Sequence, residues 1–223
     1  MKTKRLISYS IWGNQNKYLV GAMKNIELAR KHYPGWVVRF YYQADMDPEL
    51  INRLKLAGAE VRPKGYFKDP WIGLYWRFCP MYDDESIERF IVRDTDSPIS
   101  AREADAVHEW IASGMPFHIM RDNTAHNIEI LGGMWGSISG IVPNFEAHLK
   151  AWIATVNGDR KNPMGRYHGT DQDFLRVFVW PVVKNKHIAH GIKYLGNEHP
   201  FRIINPGNYK VGTYPDAETW GQQ

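Results

Sequence analysis

Residues 90–98 read Phe90-Ile91-Val92-Arg93-Asp94-Thr95-Asp96-Ser97-Pro98, an apolar run that ends in two acids one residue apart. A short run of bulky and β-branched residues predicts a strand buried on both faces, the kind that belongs to a parallel sheet. Just beyond it, Ser100 with Glu103 forms a capping-box signature. Val107, Trp110 and Ile111 fall on one face of the helix that follows, and Gly114 stops it. Residues 117–120 predict the next strand.

The same alternation extends in both directions. Toward the amino end, residues 5–12 read as a strand and residues 18–33 as a helix, with Leu19, Met23, Ile26 and Ala29 at helical spacing and Pro34-Gly35 as its stop. A strand over 36–42 is followed by Asp47 capping a helix that starts at Pro48, buries Leu50, Ile51 and Leu54, and ends at Gly58. Residues 60–62 make a short strand, and 63–80 a looser aromatic stretch carrying Phe67, Trp71, Tyr75, Trp76 and Phe78. Toward the carboxyl end come a strand in 132–139, a helix over 145–156 opened by Asn144, and a helix from Thr170 to Pro181 opened by Thr170 and Asp173. A strand over 186–189 precedes a tail rich in Gly, Pro and Asn. Alternating strands and helices predict an α/β fold, a single domain over 1–223 with a mainly parallel sheet flanked by helices. Ligands of such sheets collect at the carboxyl ends of the strands.

Composition narrows the function. A chain of 223 residues needs no staples to bury a core, and its single cysteine, Cys79, allows no internal disulfide and suits a reducing compartment. The start is basic then apolar, but Asn14, Gln15 and Asn16 interrupt it too early for a signal peptide, and the longest apolar run, 177–183, falls far short of the ~20 residues of a membrane span. A soluble, cytoplasmic protein is expected. Basic residues exceed acidic ones by 28 − 24 = 4, a bias that suits a small anionic ligand better than a polynucleotide. Nine tryptophans offer flat faces of the kind proteins lay against sugar rings.

Asp94 and Asp96 stand where that sheet would present its ligands. In extended backbone, residues two apart point to the same side, so both carboxylates would face one place. They repel unless they share a cation, and a hard divalent ion such as Mg²⁺ or Mn²⁺ takes oxygen ligands and keeps positions open for phosphate. The chain has no Gly-x-Gly-x-x-Gly and no Walker loop, and Gly132-Gly133-Met134-Trp135-Gly136 is too short and apolar for either. A bound diphosphate would therefore need the metal.

These residues resemble a family. Trp76-Arg77-Phe78, the run 90–97, Arg102-Glu103, Ala106-Val107, Glu109-Trp110, His118-Ile119-Met120-Arg121-Asp122, Gly132-Gly133-Met134-Trp135-Gly136, residues 169–175 and Lys210-Val211-Gly212 together look like a group of small GT-A-type glycosyltransferases of polysaccharide loci and large DNA viruses. The resemblance implies a GT-A-like, Rossmann-related domain that moves a sugar from a nucleotide sugar, most often a UDP-sugar, to a hydroxyl of a glycan or glycoconjugate, with Mn²⁺ or Mg²⁺ as cofactor. It assigns the metal to Asp94, Asp96 and a later histidine, best matched by His190, although the family's following Asp is Gly191 here; His187 is the substitute. Donor contacts fall on Ser8, Tyr9 as a stacking ring, Asp45, Arg77, Arg93, Asp94 and Arg121. Asp122 and Trp135 border the sugar, with His126 nearby, and Asp171, then Asp173, are the candidate catalytic carboxylates. Both an inverting transfer, which uses a carboxylate base, and a retaining one fit these residues.

Two other classes fit parts of the sequence. A carbohydrate-binding protein would use the tryptophans and would not need Asp94 and Asp96 to converge. A metal-dependent nuclease or nucleotidyltransferase would use the acids and the basic balance, but the interspersed charges form no continuous track for a polynucleotide.

Overall fold

The computed structural model describes residues 2–13, 16–65, 70–122, 126–159, 169–191 and 201–203. The described residues form one eight-stranded sheet in the order β3-β2-β1-β4-β6-β5-β7-β8. Its strands are β1 (Lys4–Ile11), β2 (Val37–Gln43), β3 (Glu60–Lys64), β4 (Ile87–Arg93), β5 (Phe117–Arg121), β6 (Met134–Ile138), β7 (His187–Gly191) and β8 (Phe201–Ile203). All neighbours pair in parallel except β6, which runs antiparallel to both β4 and β5. The fold is therefore the mainly parallel α/β domain that the alternating pattern predicts. Sequence reading left two things out: the reversed β6 and the short β8 in the carboxyl-terminal tail. Lys210-Val211-Gly212 and Phe67 lie outside the described residues.

Helices α1 (Asn16–His32), α2 (Pro48–Leu56) and α4 (Ala101–Ser113) belong to one face of the sheet, and α5 (Phe145–Asp159) and α6 (Thr170–Phe174) to the other. The period of two along each strand divides the core between those faces. Ile7, Tyr9, Ile11 and Ile91 pack with Ile26, Leu54, Val107 and Trp110, whereas Leu6, Phe90 and Val92 pack with Phe78, Trp135, Leu149 and Phe174.

Local signals set the element ends. Asp47 accepts from the Glu49 N–H at 2.9 Å with Pro48 opening α2. Ser100 accepts from the Glu103 N–H at 3.3 Å, and Gly114 ends α4 with φ 69°. Glu103 does not return to cap the helix: its carboxylate accepts from Arg93 Nε at 2.5 Å and from the Tyr33 hydroxyl at 3.1 Å. The cap of α6 is Gly169, at φ 88°, and not Thr170. The helix expected to reach Pro181 continues as a wider π turn over Leu175–Val179 before α7 (Trp180–Val183). The loose aromatic stretch is in part helical, with tight turns at Pro70–Ile72 and Cys79–Met81 on either side of α3 (Gly73–Trp76). No helix among the described residues is long and apolar enough to cross a membrane.

Candidate active site

Because β6 is reversed, its amino end arrives at the edge where β4 ends, with Met134 opposite Arg93. The two glycines before Met134 therefore come up against the acids after Arg93. A Cβ on Gly133 would lie 2.1 Å from Asp94 Oδ2, and one on Gly132 would lie 2.2 Å from Asp171 Oδ2 and 2.7 Å from Arg77 Nη2. Only glycine leaves room for this approach.

Arg77 is the hub. Ser8 and Ser10, on one face of β1, clamp its peptide: the Ser8 hydroxyl donates to the Arg77 carbonyl at 2.7 Å, and the Arg77 N–H donates to the Ser10 oxygen at 2.8 Å. Its guanidinium, almost wholly buried, donates through Nη1 to Asp94 and through Nη2 to Asp171 Oδ2 at 2.7 Å. Burial alone would lower its pKa, but the neighbouring Asp94 and Asp171 outweigh that and raise it.

The loop carrying Asp94 and Asp96 is fixed from α1. The Asn25 amide donates to the carbonyls of Thr95 at 3.0 Å and Ser97 at 3.1 Å, and its oxygen accepts from the Ile99 N–H at 3.0 Å. Gly21 lets the helix come this close, since a Cβ there would lie 2.1 Å from the Thr95 carbonyl oxygen. Lys17 Nζ pairs with Asp96 Oδ2 at 3.1 Å. Burial, then the nearby Asp94 charge, pushes the Asp96 carboxyl pKa up.

Arg77, Asp94, Asp96 and Asp171 line one cavity of about 290 Å³. Trp12, Tyr18, Trp71 and Leu74 line it as well, with Ser10, His126, Leu131 and Gln172. A charged wall thus faces the same space as an aromatic one, and the size is at the lower end for small-molecule pockets, about 300 Å³ and upward.

Asp94 and Asp96 suit a hard divalent ion: both reach the cavity, both offer oxygen, and Asp94 is close enough for its charge to disfavour ionisation of Asp96. Among the described residues no third acidic, His or Cys side chain joins them in a group that could hold a metal, so two carboxylates leave most coordination positions to ligand and water.

The other expected residues lie elsewhere. His190 is buried in β7, its Nδ1 3.0 Å from His118 Nε2 and its Nε2 3.2 Å from Glu109 Oε2, outside the cavity. His187 donates through Nδ1 to the Val183 carbonyl at 3.2 Å. Arg93 is turned into the core against Glu103 and also donates through Nη1 to the carbonyls of Val92 and Trp135. Tyr9 stacks on Phe40 at 5.0 Å and is fully buried, and Trp135 packs among Phe78, Phe90 and Phe117 with no exposed surface. Neither ring borders the cavity. Arg121 donates to the Glu129 carbonyl at 2.5 Å, Asp122 accepts from Arg102 Nε at 2.8 Å, and both are buried away from the cavity lining. Asp173 accepts from Arg176 at 3.2 Å one helical turn on and does not line the cavity, and Asp45 sits exposed in the turn after β2. For Tyr9, Arg93, Arg121, Trp135, His187 and His190, which lie on strands, burial on both faces explains the misplacement: alternation shows that a side chain leaves the strand, not which layer receives it.

Sequence reading missed Trp12, Tyr18, Gly21, Asn25 and the role of Gly132-Gly133. The glycine pair and the tryptophan just beyond the apolar run of β1 were visible signals, whereas Asn25 looks like any polar residue on a helix.

No protein-family model matches the chain, and no curated protein matches it in sequence. Among solved structures, the glycosyltransferase GlyE of Streptococcus pneumoniae superposes with a TM-score of 0.55 at 13% identity, over 84% of this chain and 45% of GlyE. The chain thus spans less than half of that protein. The 4-diphosphocytidyl-2C-methyl-D-erythritol synthase of Anaerococcus prevotii gives a TM-score of 0.51 at 8% identity, over 98% of this chain and 93% of that one. The fold of this chain is therefore one that the glycosyltransferase GlyE and the erythritol synthase also have.

Proposed function

We propose that the protein is a metal-dependent glycosyltransferase that takes a nucleotide diphosphate sugar, preferably a UDP-sugar, and passes the sugar to a hydroxyl of a glycan or glycoconjugate. The observation that carries this reading is the convergence of Asp94, Asp96, Arg77 and Asp171 on one cavity that also has aromatic walls.

In this reading Asp94 and Asp96 hold Mn²⁺ or Mg²⁺, which when bound supplies positive charge to the diphosphate as it becomes the leaving group. Trp12, Tyr18 and Trp71 provide flat surfaces for the base or the sugar. The bond between the anomeric carbon and the β-phosphate oxygen breaks, and the electron pair leaves with the nucleoside diphosphate. The acceptor hydroxyl oxygen bonds the anomeric carbon and gives up its proton. Asp171, a cavity carboxylate held by Arg77, takes that proton in this reading if the transfer is inverting.

The test is release of nucleoside diphosphate from a panel of nucleotide sugars, with Mn²⁺, with Mg²⁺ and with chelator. Turnover that needs the cation and vanishes in Asp96→Asn supports the reading; turnover unaffected by chelator overturns its metal part. The nucleotidyltransferase reading, kept because the synthase superposes along almost its whole length, predicts pyrophosphate release from a nucleoside triphosphate and a sugar phosphate instead.

A further inference from the structure

Lys17 does not itself line the cavity, but it contacts two residues that do, Asp96 and Tyr18. It lies in the first turn of α1, its side chain is 49% exposed, and its Nζ is 3.1 Å from Asp96 Oδ2, whose carboxylate is only 8% exposed. The same ammonium lies 4.5 Å from the centre of the Tyr18 ring, and Tyr18 lines the cavity. The helix itself is pinned to the acidic loop by Asn25 and by the close approach at Gly21. With the helix held against the acidic loop, the ammonium can change partners by movement of the flexible lysine stem alone.

Two competitors for Asp96 follow from this geometry. A half-exposed ammonium on one carboxylate is a weak pair. A doubly charged ion shared by two carboxylates gains from both, so it displaces the lysine and leaves an ammonium with three donors next to whatever anion the cavity holds. We propose that Lys17 exchanges partners as ligand arrives: it neutralises Asp96 in the free protein, yields that carboxylate to a divalent cation, and then pairs with the diphosphate of the nucleotide. This rests on the reading that Asp94 and Asp96 hold the cation, and it adds a residue to the donor site that neither strand nor loop patterning pointed to.

The exchange has a signature that a purely structural role lacks, because one substitution must move two affinities in opposite directions. Lys17→Met keeps the apolar stem and removes the charge. Bound and free Mn²⁺ are measured by electron paramagnetic resonance without nucleotide, and UDP binding is measured by calorimetry with saturating Mn²⁺. Lys17→Met is expected to bind Mn²⁺ alone roughly two- to fivefold more tightly than wild type, the range of a weak ion pair, and UDP about tenfold more weakly, the loss of one charge-assisted contact. Lys24→Met, on an exposed turn of the same helix where Lys24 pairs with Glu27, controls for net charge and should leave both affinities unchanged. Any other combination in Lys17→Met, with wild type binding Mn²⁺ normally, overturns the exchange alone. Wild type that binds no Mn²⁺, or an Asp96→Asn variant that binds it as well as wild type, overturns the metal reading and the exchange with it. Melting temperatures of the ligand-free variants within a few degrees of wild type establish that the fold is intact, and Lys17→Gln repeats the test should Met perturb the helix.

Discussion

The side-chain amide of Asn25 donates to the backbone carbonyl of Thr95 at 3.0 Å, so a helix holds the residue that separates Asp94 from Asp96. The same amide reaches Ser97, and its oxygen receives the Ile99 N–H. Asn25→Ala leaves those buried backbone groups without partners, which costs about 3 kcal/mol and lowers the melting temperature by roughly 6 to 12 °C. Thermal unfolding checks it, and an unchanged melting temperature would show that the loop holds its own shape.

Gly132 and Gly133 predict the opposite balance. The atoms that a new Cβ would meet are ends of side chains, Asp171 and Arg77 for one and Asp94 for the other, which can move aside. Gly133→Ala should therefore fold with little loss of stability while displacing a reacting-site carboxylate, at a cost of about 10²-fold in turnover. Comparing melting temperature with nucleoside diphosphate release separates the two effects. A variant as active as wild type would remove Asp94 from the site.

Arg77→Lys keeps the charge and loses the fork. A lysine is a point charge that cannot hold Asp94 and Asp171 in the planar two-sided geometry of a guanidinium. The expected result is a fall of about 10² in kcat with a folded protein, since misplacement of a reacting group by about 1 Å has that effect. Steady-state kinetics on the best donor of the panel checks it; an unchanged kcat would reduce Arg77 to a structural ion pair.

A pH effect comes from the histidines of β5 and β7. Burial, then the neighbouring His190, pushes the His118 pKa well below the usual histidine value, with Arg93 and His187 adding smaller contributions of the same sign. Trp110 from α4 stacks on its ring at 5.5 Å, and Glu109 from the same helix reaches His190. Folded His118 stays neutral while the unfolded chain takes up a proton near the ordinary value of about 6.5. Its contribution to stability is therefore complete above that pH and falls as the solution becomes more acidic, by up to about 1.4 kcal/mol per pH unit. Denaturant unfolding between pH 7.5 and 5 should show a shallower loss in His118→Gln than in wild type. Equal slopes would contradict the assignment.

Much of the architecture was legible because its signals are local. Asp47 with Pro48, Ser100 with Glu103, and the glycines at 58 and 114 set helix ends through bonds within a few residues, and the fold agrees with them. The site was legible in four residues that line the cavity: Asp94 and Asp96, which follow β4 directly, and Arg77 and Asp171, which the family resemblance singled out. Arg93, one residue before Asp94, is already inside the core, and its partner Glu103 had looked like half of a capping box. Tyr9, Trp135 and His190 are one or more residues deeper in their strands, where the side chain meets a packed layer instead of ligand. Nothing in a single sequence distinguishes those depths, because a polar residue in a strand buried on both faces can pair inside a packed layer, as Arg93 and His190 do, as readily as it can reach a cavity. The reversal of β6, which brings Gly132-Gly133 to the acids, depends on long-range pairing with β4 and β5 and leaves no local mark.

Calorimetric titration of UDP into the full chain, with Mn²⁺ and then with chelator, tests the central claim most directly. The account predicts UDP binding that depends on Mn²⁺ in wild type and is lost in both Asp94→Ala and Asp96→Ala. Equal UDP affinity with and without the cation, or in either variant, would contradict it.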